Sequence, residues 1–212
     1  MRKQSSNPIN PANELFQTWE DFDLFESSSG FVPFVAIESD LLQLADYSRE
    51  TLENTKKKYT SLESNDKSDW QDPEIDYLLF WEDNLSFLAP SMVLVSIYLF
   101  TEKSLKDLCY CFTPGAKHCA VPAGEKFKVP KKPNESIVDA SLRYLCELDE
   151  FSFELDDSYS VVFEKVRLLR NNFAHGDWEN VRIILSEISV KKGIEIVSNL
   201  FRTIEQGMNE TK

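Results

Sequence analysis

Between Arg167 and Trp178 the chain reads RLLRNNFAHGDW, and Arg170, Asn171 and His175 within it are residue types that can do chemistry together. Arginine stays charged at any physiological pH and offers a planar fork of donors that matches phosphate oxygens. Histidine gains or loses a proton near neutral pH. An amide one helical turn before a histidine can fix its ring or meet a substrate. Such a set suits cleavage of an RNA phosphodiester without a metal. The imidazole takes or gives a proton at the 2′-hydroxyl or at the departing 5′-oxygen. The guanidinium offsets the charge gathering on the phosphate. The adjacent 2′-hydroxyl is the attacking group, so DNA should not be cut. The chain has only two histidines, whereas this reaction benefits from both an acid and a base. A two-fold dimer answers that need, because the same patch meets its own copy across the axis.

These residues need a helix to position them. Val162, Val166, Leu169 and Phe173 recur at helical spacing and predict a helix over 159–174. Asn171 and His175 are four apart and share a face, while Arg170 lies roughly 140° around from His175. Gly176 suits the left-handed position just past a helix, and a histidine suits its negative end. The stretch therefore fits a plain helix terminus as well as a site, and spacing alone does not choose between them.

Further helices are predicted over 38–59, 74–88, 91–112, 136–148 and 189–206. Ser39 is the N-cap expected for the first, with Lys56, Lys57 and Lys58 on a solvated face near its end. Pro90 suits the first turn of the 91–112 helix. That helix is the most apolar of the chain and belongs at the centre. Glu102 falls inside it, a carboxylate on a mostly apolar element, where Lys106 is an i,i+4 partner. Gly193 slightly weakens the last helix. Residues 65–73 read as a polar linker and 151–157 as an acidic turn.

Two segments interrupt this pattern. Phe16, Trp19, Phe22 and Phe25 recur every third residue in an acidic, Asn/Pro/Ser-rich region. They mark an amphipathic segment that either folds back on the body or docks a partner. Residues 113–135 hold four prolines, two glycines and five lysines against two glutamates. A loop of this length is usually functional or disordered. Its Lys126, Lys128, Lys131 and Lys132, with Phe127 among them, suit an RNA backbone, or else form a solvated basic loop.

The 212 residues are 42% apolar, enough for one cored domain with an appendage. The organisation read from the chain is an acidic segment (1–30), an N-terminal helical extension (31–73) and a helical domain (74–212). The net charge of −13 argues against a surface that coats DNA or membrane. It is uneven: 9 basic and 20 acidic residues in 1–112, 6 and 9 in 113–159, and 8 and 7 in 160–212. The acid thus sits away from the RNNFAH end. Cys109, Cys111 and Cys119 cluster with His118, but Cys109 and Cys111 stand about 200° apart on a helix and converge on zinc only if the helix ends before them. No metal or cofactor is expected. The longest apolar run, 92–100, is short against the roughly 20 residues of a membrane span, and residues 1–16 have no apolar signal core. The expectation is a soluble, cytoplasmic protein with no membrane partner.

RLLRNNFAHG resembles the signature of the HEPN superfamily, in which Arg, a polar residue and then His close a late helix. Arg170, Asn171 and His175 match it in type, order and spacing. The order of elements over roughly 74–206 is also similar: a long apolar helix, an insertion, a helix, the motif helix and a closing helix. The resemblance implies an all-α, up-and-down bundle that dimerises with its motifs facing each other. It implies metal-independent endoribonuclease activity in a toxin, abortive-infection or antiphage role, with an antitoxin or other co-encoded regulatory protein as partner. Some members add an acidic residue near the site, and Glu102 is the counterpart on that analogy. Others are non-catalytic scaffolds, which is the alternative implied. One subgroup carries Tyr two positions after the His. Asp177 stands there, which speaks against control by nucleotide modification of a tyrosine.

Overall fold

A computed structural model describes residues 23–208 of the chain. Phe16, Trp19 and Phe22 of the aromatic series lie outside these residues. Among the described residues every regular element is helical, and the one β-like pairing is an isolated bridge between Phe151 and Met208. The helices are α1 (Val32–Glu63), α2 (Asp72–Asp83), α3 (Ala89–Cys111), α4 (Ile137–Cys146), α5 (Asp157–His175), α6 (Trp178–Leu185) and α7 (Val190–Gln206).

The centre is α3. Val93, Leu94, Ile97, Leu105 and Leu108 are all buried on it, and α1, α4, α5, α6 and α7 pack around it. A helix apolar on most of its circumference belongs in a core or in a membrane, and here other helices enclose it. Each such side chain contributes about 1.5–3 kcal/mol when buried. α7 crosses α3 at Gly193, where a Cβ would stand 2.9 Å from Leu94 Cδ2 and 3.5 Å from Ile97 Cδ1. The missing side chain lowers helix propensity by about 1 kcal/mol, and it lets the two helices approach.

The break expected before Pro90 is absent. α2 and α3 run as one 40-residue helix, Asp72–Cys111, through a π-helical turn at Asn84–Leu88. Pro90 has no N–H for the Ser86 carbonyl, and its ring crowds that carbonyl. The chain responds by widening one turn, so that the Ala89 N–H reaches back five residues to the Asn84 carbonyl. By length and composition this helix could cross a membrane, but 56% of its apolar window is buried inside the bundle.

α1 also begins earlier than residue 38. Pro33 occupies its first turn, where a fixed φ favours initiation. Phe34, Ile37, Leu41, Ala45 and Leu52 then form the buried stripe against α3. Ser39 sits inside the helix, and the N-cap is Phe31, which supplies no side-chain bond.

A strap precedes α1. Phe25 is 1% exposed, and its ring lies 6.2 Å from those of Phe34 and Phe201. Arg202 of α7 donates to the Asp23 carboxylate (2.9 Å) and the Leu24 carbonyl (3.1 Å). Ser27, Ser28 and Ser29 then close over Glu205. Its carboxylate accepts from Ser27 Oγ (2.7 Å), Ser29 Oγ (2.6 Å), Ser28 Oγ (3.2 Å) and the Ser28 and Ser29 N–H groups (3.0 Å each). Burial pushes this carboxyl up, but the bonds from Ser29, Ser27 and Ser28 together outweigh it and hold the pKa below the usual value. One hydrophobic cluster runs from Phe25 to Ile204.

Candidate functional site

α5 starts with Asp156 as cap, accepting from the Ser158 N–H at 2.7 Å. Phe163, Val166 and Leu169 turn its inner face to the core. The helix stops at Gly176, whose φ of 72° is left-handed, a conformation that a residue without a Cβ adopts most readily. The Gly176 N–H bonds the Phe173 carbonyl (3.2 Å) and the Asp177 N–H bonds the Asn172 carbonyl (2.9 Å). This pair defines a Schellman ending. It leaves His175 as the last helical residue, exposed, with Asn171 half-buried one turn back. Val161 and Leu168 are 55% and 41% exposed. At 100° per residue these four positions fall within an arc of about 80°, opposite the buried face.

Arg170 points elsewhere. It is half-buried, with its guanidinium carbon 5.8 Å from the centre of the Tyr98 ring on α3. That is a cation–π contact of about 0.5–2 kcal/mol. Tyr98 is 2% exposed. Burial first, and then the Glu102 charge, push its hydroxyl up to about 12, against the opposing pull of Arg170 and Arg167. Arg167 itself is held in a two-bond pair by Glu164 (2.7 and 2.6 Å). Arg170 and His175 are therefore not brought together within one subunit.

The short helix α6 is absent from the sequence reading. Its signals exist: Asp177 caps it, bonding the Asn180 N–H (3.4 Å) and Nδ2 (2.7 Å), and Val181 and Leu185 are buried four residues apart. Eight residues are too few for the periodicity to stand out. α6 closes the end of α5 with an aromatic cluster. Trp178 lies edge-on to Phe87 (5.6 Å) and Phe173 (5.4 Å). The Arg182 guanidinium rests 4.4 Å over Phe87 and pairs with Asp83 at 3.6 Å. A second arginine, which the motif alone does not reveal, thus borders this region.

The basic loop is ordered by contacts with α3 and α4. Asp107 accepts from the Val121 N–H (3.0 Å) and Phe127 packs edge-on to Tyr110 (5.5 Å). Arg143 donates to Glu135 (2.8 and 3.0 Å) and to the Pro130 carbonyl (2.8 Å). Hydrogen bonds from Arg143 and from the Lys132 N–H hold the Glu135 carboxyl down at about 2. Between loop and helix lies an open cleft of about 580 Å³. Lys126 and Lys128 line it, whereas Lys131 and Lys132 are exposed outside its wall. Glu102, 8% exposed, also lines it. Lys106 lines it too, but the ion pair anticipated between Glu102 and Lys106 does not form.

The residues singled out from the sequence thus divide. Asn171 and His175 lie on the outer face of α5, Glu102, Lys126 and Lys128 lie in the α3–loop cleft, and no α5 residue lines that cleft. Arg170 and Tyr98 stand between the two regions. Among the described residues no group of three or more His, Cys, Asp and Glu side chains could hold a metal ion. Cys109 is buried, with its thiol 3.5 Å from the Ser141 carbonyl. Comparison with protein-family models, curated proteins and solved structures finds no match. The class that the fold defines is an all-α protein built around one central helix.

Proposed function

We propose that this chain is a metal-independent endoribonuclease of the HEPN kind, an up-and-down bundle that works as a homodimer in a toxin or antiphage defence role. The observation that carries the reading is the outer face of α5. It presents His175 to solvent, with Asn171 half-buried one turn back and the exposed apolar side chains Leu168 and Val161 on the same face, about two and four turns from His175. A helix face that carries exposed apolar side chains and ends in a polar pair is one that a two-fold contact would cover. That contact sets two imidazoles on one RNA backbone, one to take the 2′-hydroxyl proton and one to protonate the 5′-oxygen. Arg170 joins when a phosphate arrives, because a charge-assisted bond to phosphate is stronger than its contact with the Tyr98 ring. Regulation falls to a co-encoded protein such as an antitoxin, for which the acidic remainder of the surface is available.

A second reading, a non-catalytic HEPN-like scaffold in the same kind of complex, is favoured by one observation: Arg170 rests on Tyr98, away from His175. RNA cleavage in EDTA separates the two. The nuclease yields 2′,3′-cyclic or 3′-phosphate ends, and His175→Ala loses about 10²–10⁴-fold in rate with an unchanged melting curve. Arg170→Ala loses activity likewise. Intact RNA after incubation with folded wild-type protein, alone and with its genomic neighbours, leaves the scaffold. A monomeric mass at micromolar concentration would overturn the shared cleft.

A further inference from the structure

We infer that the cleft between α3 and the 121–128 segment is a binding site for a guanine nucleotide, with the Glu102 carboxylate receiving the base. Glu102 is 8% exposed, and what remains accessible opens onto the cleft. Among the described residues it has no hydrogen-bond or ion-pair partner. Among the described residues the fully buried polar side-chain atoms without a partner are Trp81 Nε1 and Ser198 Oγ; the Glu102 oxygens are not among them, so they reach the open cleft and are available to a ligand's donor. The nearby Lys103 does not serve it, being committed to Asp107 (3.1 Å) and Asp40 (3.9 Å).

The chemistry of the walls defines the guest. An ionised carboxylate only accepts hydrogen bonds, so the group that meets Glu102 must be a donor. Lys106, Lys126 and Lys128 form no ion pair among the described residues, and the unpaired acids in the lining are Glu102 and Glu125. Three positive charges against two negative leave a balance of +1, which favours an anionic ligand. Phe127 adds an aromatic ring beside its lysines, a surface on which a planar base stacks. Donor, anion and plane together describe a nucleotide. Guanine alone among the RNA bases sets two donors, N1–H and the N2 amino group, side by side on one edge. Adenine and cytosine place an acceptor next to the amino group, and uracil flanks its single N–H with two carbonyls. The volume of about 580 Å³ is in the range of small-molecule sites, roughly 300–1,000 Å³.

The test is calorimetric titration of the full chain with 5′-GMP, 5′-AMP and inorganic phosphate. GMP should bind at least tenfold more tightly than AMP. Glu102→Gln, which keeps shape but replaces one acceptor by a donor, should weaken GMP at least tenfold and leave phosphate unchanged. The Lys126→Ala/Lys128→Ala double variant should weaken every nucleotide. Equal affinity for GMP and AMP, binding of phosphate alone, or a folded Glu102→Gln variant with wild-type affinity overturns the assignment, as does no binding up to millimolar GMP. A trinucleotide ApGpA, titrated with the His175→Ala variant so that it stays intact, identifies the source of the base. Tighter binding than GMP assigns the cleft to RNA, and equal or weaker binding assigns it to a free nucleotide, the guanine site standing either way. No arm reads RNA cleavage, so failure here leaves the nuclease proposal intact, and the reverse holds.

Discussion

Glu102 and Glu205 are both buried glutamates on long helices, 8% and 5% exposed, yet their surroundings are opposite. The Glu205 carboxylate accepts five hydrogen bonds from Ser27, Ser28 and Ser29. Glu102 accepts none among the described residues and opens onto a cleft. Taking a carboxylate out of water costs several kcal/mol; that cost falls on Glu205, whereas the Glu102 oxygens still meet an open cleft. At Glu205 the chain itself offsets that cost, and the charge becomes part of the architecture. At Glu102 the carboxylate keeps its accepting capacity free on the wall of the cleft.

Substitutions can break or sharpen this contrast. The largest effect is expected at Glu205. Glu205→Ala frees the strap and removes the acceptor of its bonds, so urea denaturation should show a loss of about 2–4 kcal/mol. A loss under about 0.5 kcal/mol, no more than an ordinary surface change, would erase the distinction. The same carboxyl gives a pH signature. Its folded pKa is lowered from 4.5, so its contribution is complete above that unfolded value and disappears as pH falls through the folded one. The gap in stability between wild type and Glu205→Ala should therefore be wide at pH 6 and shrink progressively below pH 4.5. Equal gaps at pH 6 and at strongly acid pH would mean that the charge is not what holds the strap.

Glu102→Leu should behave in the opposite sense. Replacing an unpaired buried charge by an apolar side chain is neutral or stabilising by about 1 kcal/mol, while GMP binding disappears. Destabilisation by 2 kcal/mol or more would show that Glu102 has a structural partner after all. The smallest change is expected for Ser28→Ala. Its hydroxyl makes the longest of the five bonds, 3.2 Å, from an exposed position, and its N–H bond survives. A loss of about 0.5 kcal/mol or less follows, and thermal melts of paired samples can resolve it.

Much of the helical layout was legible because periodicity is a local property. Val162, Val166, Leu169 and Phe173 announce α5, and the apolar run around Met92–Phe100 announces the central helix. Pro90 does stand in the first turn of α3; what its position could not show is that a π turn carries α2 straight into that helix. The residue types of the α5 end were legible, and so was the 140° between Arg170 and His175. What spacing could not show is that Tyr98 claims the guanidinium, since that contact joins α3 to α5 across 72 positions. Nor could it show Ser27–Ser29 as anything but the end of an appendage: their acceptor lies 176–178 residues away. Glu102 stands out on an apolar helix, but its i,i+4 partner Lys106 forms no ion pair with it. The cleft exists only once the 121–128 segment has come down on the helix.

The strap also sets an order of events during synthesis. Phe25 and the three serines leave the ribosome early, but Phe201 and Glu205 follow about 180 residues later, on the order of 10–40 s at ordinary elongation rates. Until then the nascent chain must keep one phenylalanine uncovered and its first helix only partly seated. A truncated product that ends before α7 would carry the whole RNNFAH stretch yet lack the clasp that completes its support.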